Sequence, residues 1–218
     1  MTSAVKLQRG LTALLLALLA AIVIVVLSGG GGSSSSSSSV GAGSAALRSN
    51  SPFDGPLMPP NLRAPAFSLV DQTGRRVSLS QYRGHVVVLT FIHSLCHDAC
   101  PFMVEQIKGA LNSLPGSGRG VPAIGISADP AEDTVGRRRA FVAQHEMTGR
   151  LAFLNGPVAE LRPIWKAYGI QPVTPKVDHS TFVILIDKRG LERIGFAADQ
   201  LTPEALAHDI RVLEREPA

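Results

Sequence analysis

The segment that most constrains the fold is the run HVVVLTFI at residues 85–92, an almost unbroken series of apolar and β-branched residues. A strand of this composition is buried on both faces, as is typical of a central strand covered by helices. The flanking patterns predict strands at residues 67–70, 76–79, 121–127, 151–154, 181–187 and 191–196, and helices at 101–114, 133–145, 158–168 and from 202. The order of these elements predicts an α/β sandwich around a central mixed sheet.

Both cysteines of the chain follow this strand directly, in the segment HSLCHDACP at residues 93–101. Ligands in open α/β sheets bind beyond the carboxyl ends of the strands. Pro101 suits the first turn of a helix, so Cys100 is expected near a helix N-terminus, where partial positive charge favours a thiolate. Cys96 and Cys100 could bind one soft ion such as Cu(I) or Zn(II), form a disulfide, or simply be buried as small apolar residues.

The N-terminal part of the chain has a different character. Residues 11–27 contain no charge, and as a helix they would span about 25 Å, slightly less than a bilayer core of about 30 Å. Lys6 and Arg9 precede this run, which predicts a cytoplasmic N-terminus at residues 1–10 and an extracytoplasmic location for everything after it. We favour an uncleaved transmembrane anchor over a cleavable signal peptide, which usually has a shorter apolar run.

Residues 28–64 are rich in Gly, Ser and Pro and include the tract GGGGSSSSSSS. Such a sequence predicts a flexible linker between the anchor and a folded domain at residues 65–216. Residues 65–218 carry 17 basic and 16 acidic side chains. This near balance gives no extended basic surface for a phosphate backbone and argues against a nucleic-acid partner.

The motifs of the folded part resemble the SCO/SenC family of copper chaperones. The resemblance rests on the C-x3-C-P element of residues 96–101, the preceding FSLVDQTGRRVSLSQYRG, Asp129-Pro130 with Asp133-Thr134, and Val177-Asp178-His179 before an apolar strand. It covers the chain from about Ala64 to the C-terminus.

This resemblance implies a thioredoxin-like fold and a copper site, for Cu(I) or Cu(II), formed by Cys96, Cys100 and His179. It implies help in assembling the binuclear copper centre of cytochrome c oxidase, with the copper-bearing subunit of the oxidase as partner. Other copper chaperones or thiol reductases are further expected partners. The chain departs from the family at His97, where a proline is usual, and at His93-Ser94, where an aromatic-Thr pair is usual. We expect both histidines to be exposed residues of the strand end and loop.

The principal alternative is a thiol–disulfide oxidoreductase that uses Cys96 and Cys100 as a redox pair. Such enzymes usually have C-x2-C spacing, so the extra residue favours a metallochaperone over an enzyme. Peroxidase chemistry is a weaker option, since the Thr/Ser-x-x-Cys context is not evident. Local patterns predict less specific roles for other polar residues: a turn at Asp129, a helix cap at Asp133 or Thr134, and solvent-exposed positions for Arg137–Arg139, His145 and His208.

Overall fold

The computed structural model describes residues 51–174 and 180–218. The predicted anchor at residues 11–27 and His179 lie outside these ranges. No helix within the described ranges is long and apolar enough to cross a membrane.

The strands and helices follow the predicted order. The strands are β1 (Ser68–Val70), β2 (Arg76–Ser78), β3 (Val87–Ile92), β4 (Ala123–Ser127), β5 (Leu151–Leu154), β6 (Phe182–Ile186) and β7 (Glu192–Ala197). The α-helices of the described ranges are α1 (Ala99–Asn112), α2 (Val135–Gln144), α3 (Val158–Ala167) and α4 (Pro203–Arg215). Helix α1 begins two residues before the predicted start, so its first turn includes Cys100.

Five strands form one mixed sheet in the order β5-β4-β3-β6-β7, and β1 and β2 form a separate antiparallel hairpin. Strand β3 is central: it pairs in parallel with β4 and antiparallel with β6. This arrangement confirms the predicted α/β thioredoxin-like fold with a central mixed sheet. The carboxyl ends of β3 and β4 and the start of β6 therefore lie at the same edge of the sheet.

Every residue of β3 is buried, because the strand contributes to a core on each face of the sheet. Val88 and Ile92 belong to a core shared with α1, α2 and α4, whereas Val87, Leu89 and Phe91 pack with α3 and the β1–β2 hairpin. The two-sided burial predicted from the unbroken apolar run is confirmed. It makes the end of β3 a rigid point from which the following loop leaves the sheet.

Residues 51–64, which the sequence analysis assigned to the linker, pack against the folded domain. Leu57 and Arg63 form bridges with Ile194 and Leu191, and the Ala64 amide donates to the Gly190 carbonyl at 3.0 Å. This segment covers the outer edge of β7, which would otherwise expose unpaired backbone groups. The ordered domain therefore begins before residue 65.

The buried Glu192 side chain, on β7, should make the stability of the protein depend on pH. Burial raises the pKa of this carboxyl from 4.5 to about 7, so the folded state holds a proton that the unfolded state releases. The free energy of unfolding should therefore fall as the pH rises from about 5 to 8.

We expect Glu192→Gln to remove this dependence and to be more stable than the wild type at pH 8 by about 1–3 kcal/mol. The advantage should vanish near pH 5, where the wild-type carboxyl is protonated. Urea unfolding at the two pH values measures the effect, and Glu204→Gln, at an exposed position in the first turn of α4, is the control. Equal pH dependence in the wild type and Glu192→Gln would contradict the prediction.

Candidate metal and thiol site

The candidate site lies in the loop that joins β3 to α1. The Ile92 carbonyl accepts a hydrogen bond from the Ala128 amide at 2.9 Å, which ties the end of β3 to the residue that follows β4. The Cys96 amide then donates to the His93 carbonyl at 3.2 Å, closing a turn. This turn directs the chain back over the sheet edge and into the first turn of α1.

Three potential metal ligands converge in this loop. One nitrogen of His93 and the sulfurs of Cys96 and Cys100 all lie within 4.8 Å of one another, and all three residues are buried. Both cysteines are thiols, and Cys100 is fully buried. The prediction that His93 is exposed is wrong, since only 9% of its surface is accessible: the turn folds the ring inward. His97 is exposed, as predicted.

The start of α1 provides electrostatic support for a charged sulfur. The Cys100 amide donates to Cys96 Sγ at 3.2 Å, and the side chain of Asp98, the residue before the helix, makes no capping bond. The sulfur of Cys96 thus occupies a place usually taken by a capping oxygen. An N–H donor and the positive end of the helix dipole both favour a thiolate over a thiol at this position.

A buried carboxylate anchors the same loop. Asp133 Oδ1 accepts hydrogen bonds from the Ser94 amide at 2.7 Å and the Ser94 hydroxyl at 2.6 Å. Its other oxygen accepts from the Ser127 hydroxyl at 2.5 Å. The helix cap predicted at Asp133 or Thr134 is Thr134, whose hydroxyl accepts from the Arg137 amide at 3.3 Å. Asp133 therefore connects the cysteine loop to the end of β4.

Two further expectations about polar residues are corrected by the structure. Arg138 is buried, not part of a solvated face, and its guanidinium donates to the carbonyls of Asp133, Val70 and Phe153. Burial lowers the pKa of Arg138, although the nearby Asp133 charge opposes this effect. His145 is buried as well, because its ring contacts Phe141 and its Nδ1 lies 3.0 Å from a carboxylate oxygen of Glu105.

His179 is outside the described residues, but the residues that flank this gap are at the site's edge of the sheet. The Val173 amide donates to the Ala128 carbonyl at 3.1 Å. The Ser180 amide donates to the Gln171 carbonyl at 3.2 Å, and the Gln171 amide donates to Ser180 Oγ at 3.1 Å. The chain on both sides of residues 175–179 is therefore held near the end of β4.

A second group of potential ligands has an evident structural role. Asp54, His208 and Asp209 offer one ligand atom each within 4.8 Å of one another. The Asp209 carboxylate, however, accepts the amides of Asp54 and Gly55 at 2.8 and 2.9 Å, and His208 Nε2 lies 3.0 Å from the Pro52 carbonyl oxygen. These bonds fasten residues 52–55 to α4.

The fold and the site define a class of protein: a thioredoxin-like domain with a dithiol and an imidazole at the end of its central strand. The SCO1/SenC family model matches residues 58–214, and the chain belongs to this family.

Relatives of this chain agree with that assignment. The Schizosaccharomyces pombe protein sco1 is 29% identical over 136 residues, covering 57% of this chain and 51% of that protein. The structure of Bradyrhizobium japonicum ScoI with copper bound has a TM-score of 0.61 and 26% identity, covering 69% of this chain and 99% of ScoI. The chain thus spans about half the length of its fission-yeast relative.

A third relative has a different name. A Mycobacterium tuberculosis protein named as a peroxiredoxin is 32% identical over 129 residues, covering 57% of this chain and 77% of that protein.

Removing the Asp133 carboxylate tests its anchoring role. Asp133→Ala should lower the free energy of unfolding by about 2–4 kcal/mol, because half-buried donors on Ser94 and a buried donor on Ser127 lose a charged acceptor. Urea denaturation of the reduced chain measures the loss. Glu132→Ala, which removes only a surface ion pair with Arg137, should stay within about 1 kcal/mol of wild type. Equal stability of the two variants would show that Asp133 does not anchor the loop.

Proposed function

We propose that this protein is a membrane-anchored copper chaperone that serves assembly of the binuclear copper centre of cytochrome c oxidase. The observation that carries the proposal is the convergence of two cysteine sulfurs and an imidazole at the end of the central strand. The family to which the chain belongs is linked to copper binding and cytochrome oxidase assembly.

The donor set fits copper as cargo. Thiolate sulfur is a soft ligand that suits Cu(I), and imidazole nitrogen suits copper in either oxidation state. Cys96 and Cys100 would hold the ion, and their burial would shield it from water. A thiol must lose its proton to bind a metal ion. The hydrogen bond that the Cys100 amide donates to Cys96 Sγ favours this thiolate form.

We propose His179 as a third ligand, on the basis of the family motif. It directly precedes Ser180, which pairs with Gln171 close to the residues that follow β4. A ligand on a segment separate from the cysteine loop could leave the ion without unfolding that loop. Such an arrangement suits a site that must both load and release its metal.

Location and partners follow from the N-terminal sequence and the surface near the site. Residues 11–27 would anchor the chain, with residues 1–10 in the cytoplasm and the domain on the extracytoplasmic side. The copper-bearing subunit of the oxidase would receive the metal there, and other copper chaperones or thiol reductases would load or reduce the site. Leu95 in the cysteine loop, Phe102 on α1 and Phe182 at the start of β6 are each at least 40% exposed and would supply apolar contacts to such a partner.

The alternative is a thiol–disulfide oxidoreductase, favoured by the proximity of the two sulfurs and by the relative named as a peroxiredoxin. Closing the pair into a disulfide would release two electrons and two protons to an oxidised substrate. Peroxidatic Thr or Ser is absent three residues before either cysteine, because His93 and His97 occupy those positions. The metal proposal therefore remains first.

Cu(I) titration of the full-length, reduced chain in a mild detergent tests the proposal. The wild type should bind one Cu(I), measured by competition with a chromophoric chelator. Cys96→Ser and Cys100→Ser should each weaken binding by at least about 100-fold, and His179→Ala by at least about 10-fold, because each removes a metal ligand.

His97→Ala, at an exposed position in the same loop, serves as the matched control and should bind as the wild type does. Wild-type binding by His179→Ala would eliminate the third-ligand assignment. A wild type that turns over disulfide or peroxide substrates rapidly and takes up no Cu(I) would establish the oxidoreductase instead.

A further inference from the structure

The proposed function does not account for the position of the His93 side chain. It follows the last residue of β3 and replaces an aromatic residue that is usual in the family. Its ring is buried beside Cys96 and Cys100, with the three ligand atoms within 4.8 Å of one another. We propose that His93 is itself a metal ligand, so that the loop between β3 and α1 carries a complete donor set of two sulfurs and one nitrogen. This inference rests on the proposed metal-binding function.

The spacing is close to what coordination needs. Metal–sulfur bonds of about 2.3 Å and metal–nitrogen bonds of about 2.0 Å place two donors of one ion no more than about 4.6 Å apart. The three ligand atoms of this loop all lie within 4.8 Å of one another, a separation compatible with a single bound ion. Small side-chain adjustments within the existing loop would therefore suffice, with no rearrangement of the sheet or of α1.

The backbone that carries the three donors is fixed at several points. Ile92 on one side of His93 accepts from the Ala128 amide, and Ser94 on the other side is bonded to Asp133. The His93 carbonyl accepts from the Cys96 amide, and Cys96 Sγ accepts from the Cys100 amide. A donor set held in this way loses little conformational entropy on binding, which favours affinity.

A ligand at His93 changes the number of donors that the site offers to a metal ion. The loop alone offers two sulfurs and one nitrogen, which suit Cu(I). If the proposed ligand His179 also binds, the four donors would also suit tetrahedral Zn(II), or Cu(II). With His179 removed, His93 still leaves three donors. A site built only from Cys96, Cys100 and His179 would have no nitrogen ligand left after that change.

The first test leaves His93 intact. The full-length His179→Ala chain is loaded with Cu(II), and electron spin echo envelope modulation detects the remote nitrogen of any coordinated imidazole. We expect one imidazole to remain coordinated in His179→Ala and none in the double variant His93→Phe/His179→Ala. Absence of imidazole coupling in His179→Ala would overturn the inference.

The second test measures Cu(I) affinity by chelator competition in His93→Phe, which keeps an aromatic ring of similar size. We expect affinity at least about 10-fold weaker than wild type, while His97→Phe in the same loop binds as wild type does. Wild-type affinity in His93→Phe refutes the role of His93 while the chaperone proposal stands. A wild type that binds no copper refutes both. Far-UV circular dichroism shows whether His93→Phe is folded. If it is not folded, the measurement on His179→Ala, in which His93 is intact, decides the question.

Discussion

The organisation of the site depends on one buried carboxylate. Asp133 accepts two hydrogen bonds from Ser94 and one from Ser127, and so joins the loop after β3 to the end of β4. Arg138 supports the same segment by donating to the Asp133 carbonyl. Because Ser94 lies between His93 and Cys96, this network sets the direction in which the loop leaves the sheet. The positions of the sulfurs relative to the imidazole follow from that direction.

The sequence predicted the scaffold better than the polar contacts. The apolar run of β3 and the proline of α1 are local signals, and both elements form within two residues of the predicted bounds. The burial of His93 and Arg138 was missed, since polar residues at a strand end or in an arginine triplet are usually exposed. Arg138 is buried because it donates to carbonyls of three segments, two of which (at Val70 and Phe153) are distant in sequence, and such a convergence leaves no local pattern in the sequence. The same reason explains why the anchoring role of Asp133 was not predicted.

Metal binding and thiol chemistry compete for the same two sulfurs. The amide of Cys100 and the start of α1 favour thiolate at Cys96, and a thiolate is both the better metal ligand and the better nucleophile. What separates the two functions is therefore the third donor. An imidazole beside the sulfurs can favour the thiolate in disulfide exchange, but only in metal binding does its nitrogen serve as a ligand. The buried position of His93 beside both sulfurs therefore favours the metal-binding proposal.

An additional ligand also has a cost for a chaperone, because every donor lengthens the time that the ion stays bound. The exposure of the three donors indicates an order in which a recipient's ligands could displace them from the ion. Cys100 is fully buried, whereas Cys96 and His93 retain 8% and 9% of their surface exposed. An incoming thiolate or imidazole would therefore meet the side of the site formed by His93 and Cys96, and Cys100 would be the last donor released. Under the proposal that His93 binds the metal, a recipient ligand would replace His93 before Cys100, and His93→Phe should accelerate metal release as well as weaken binding.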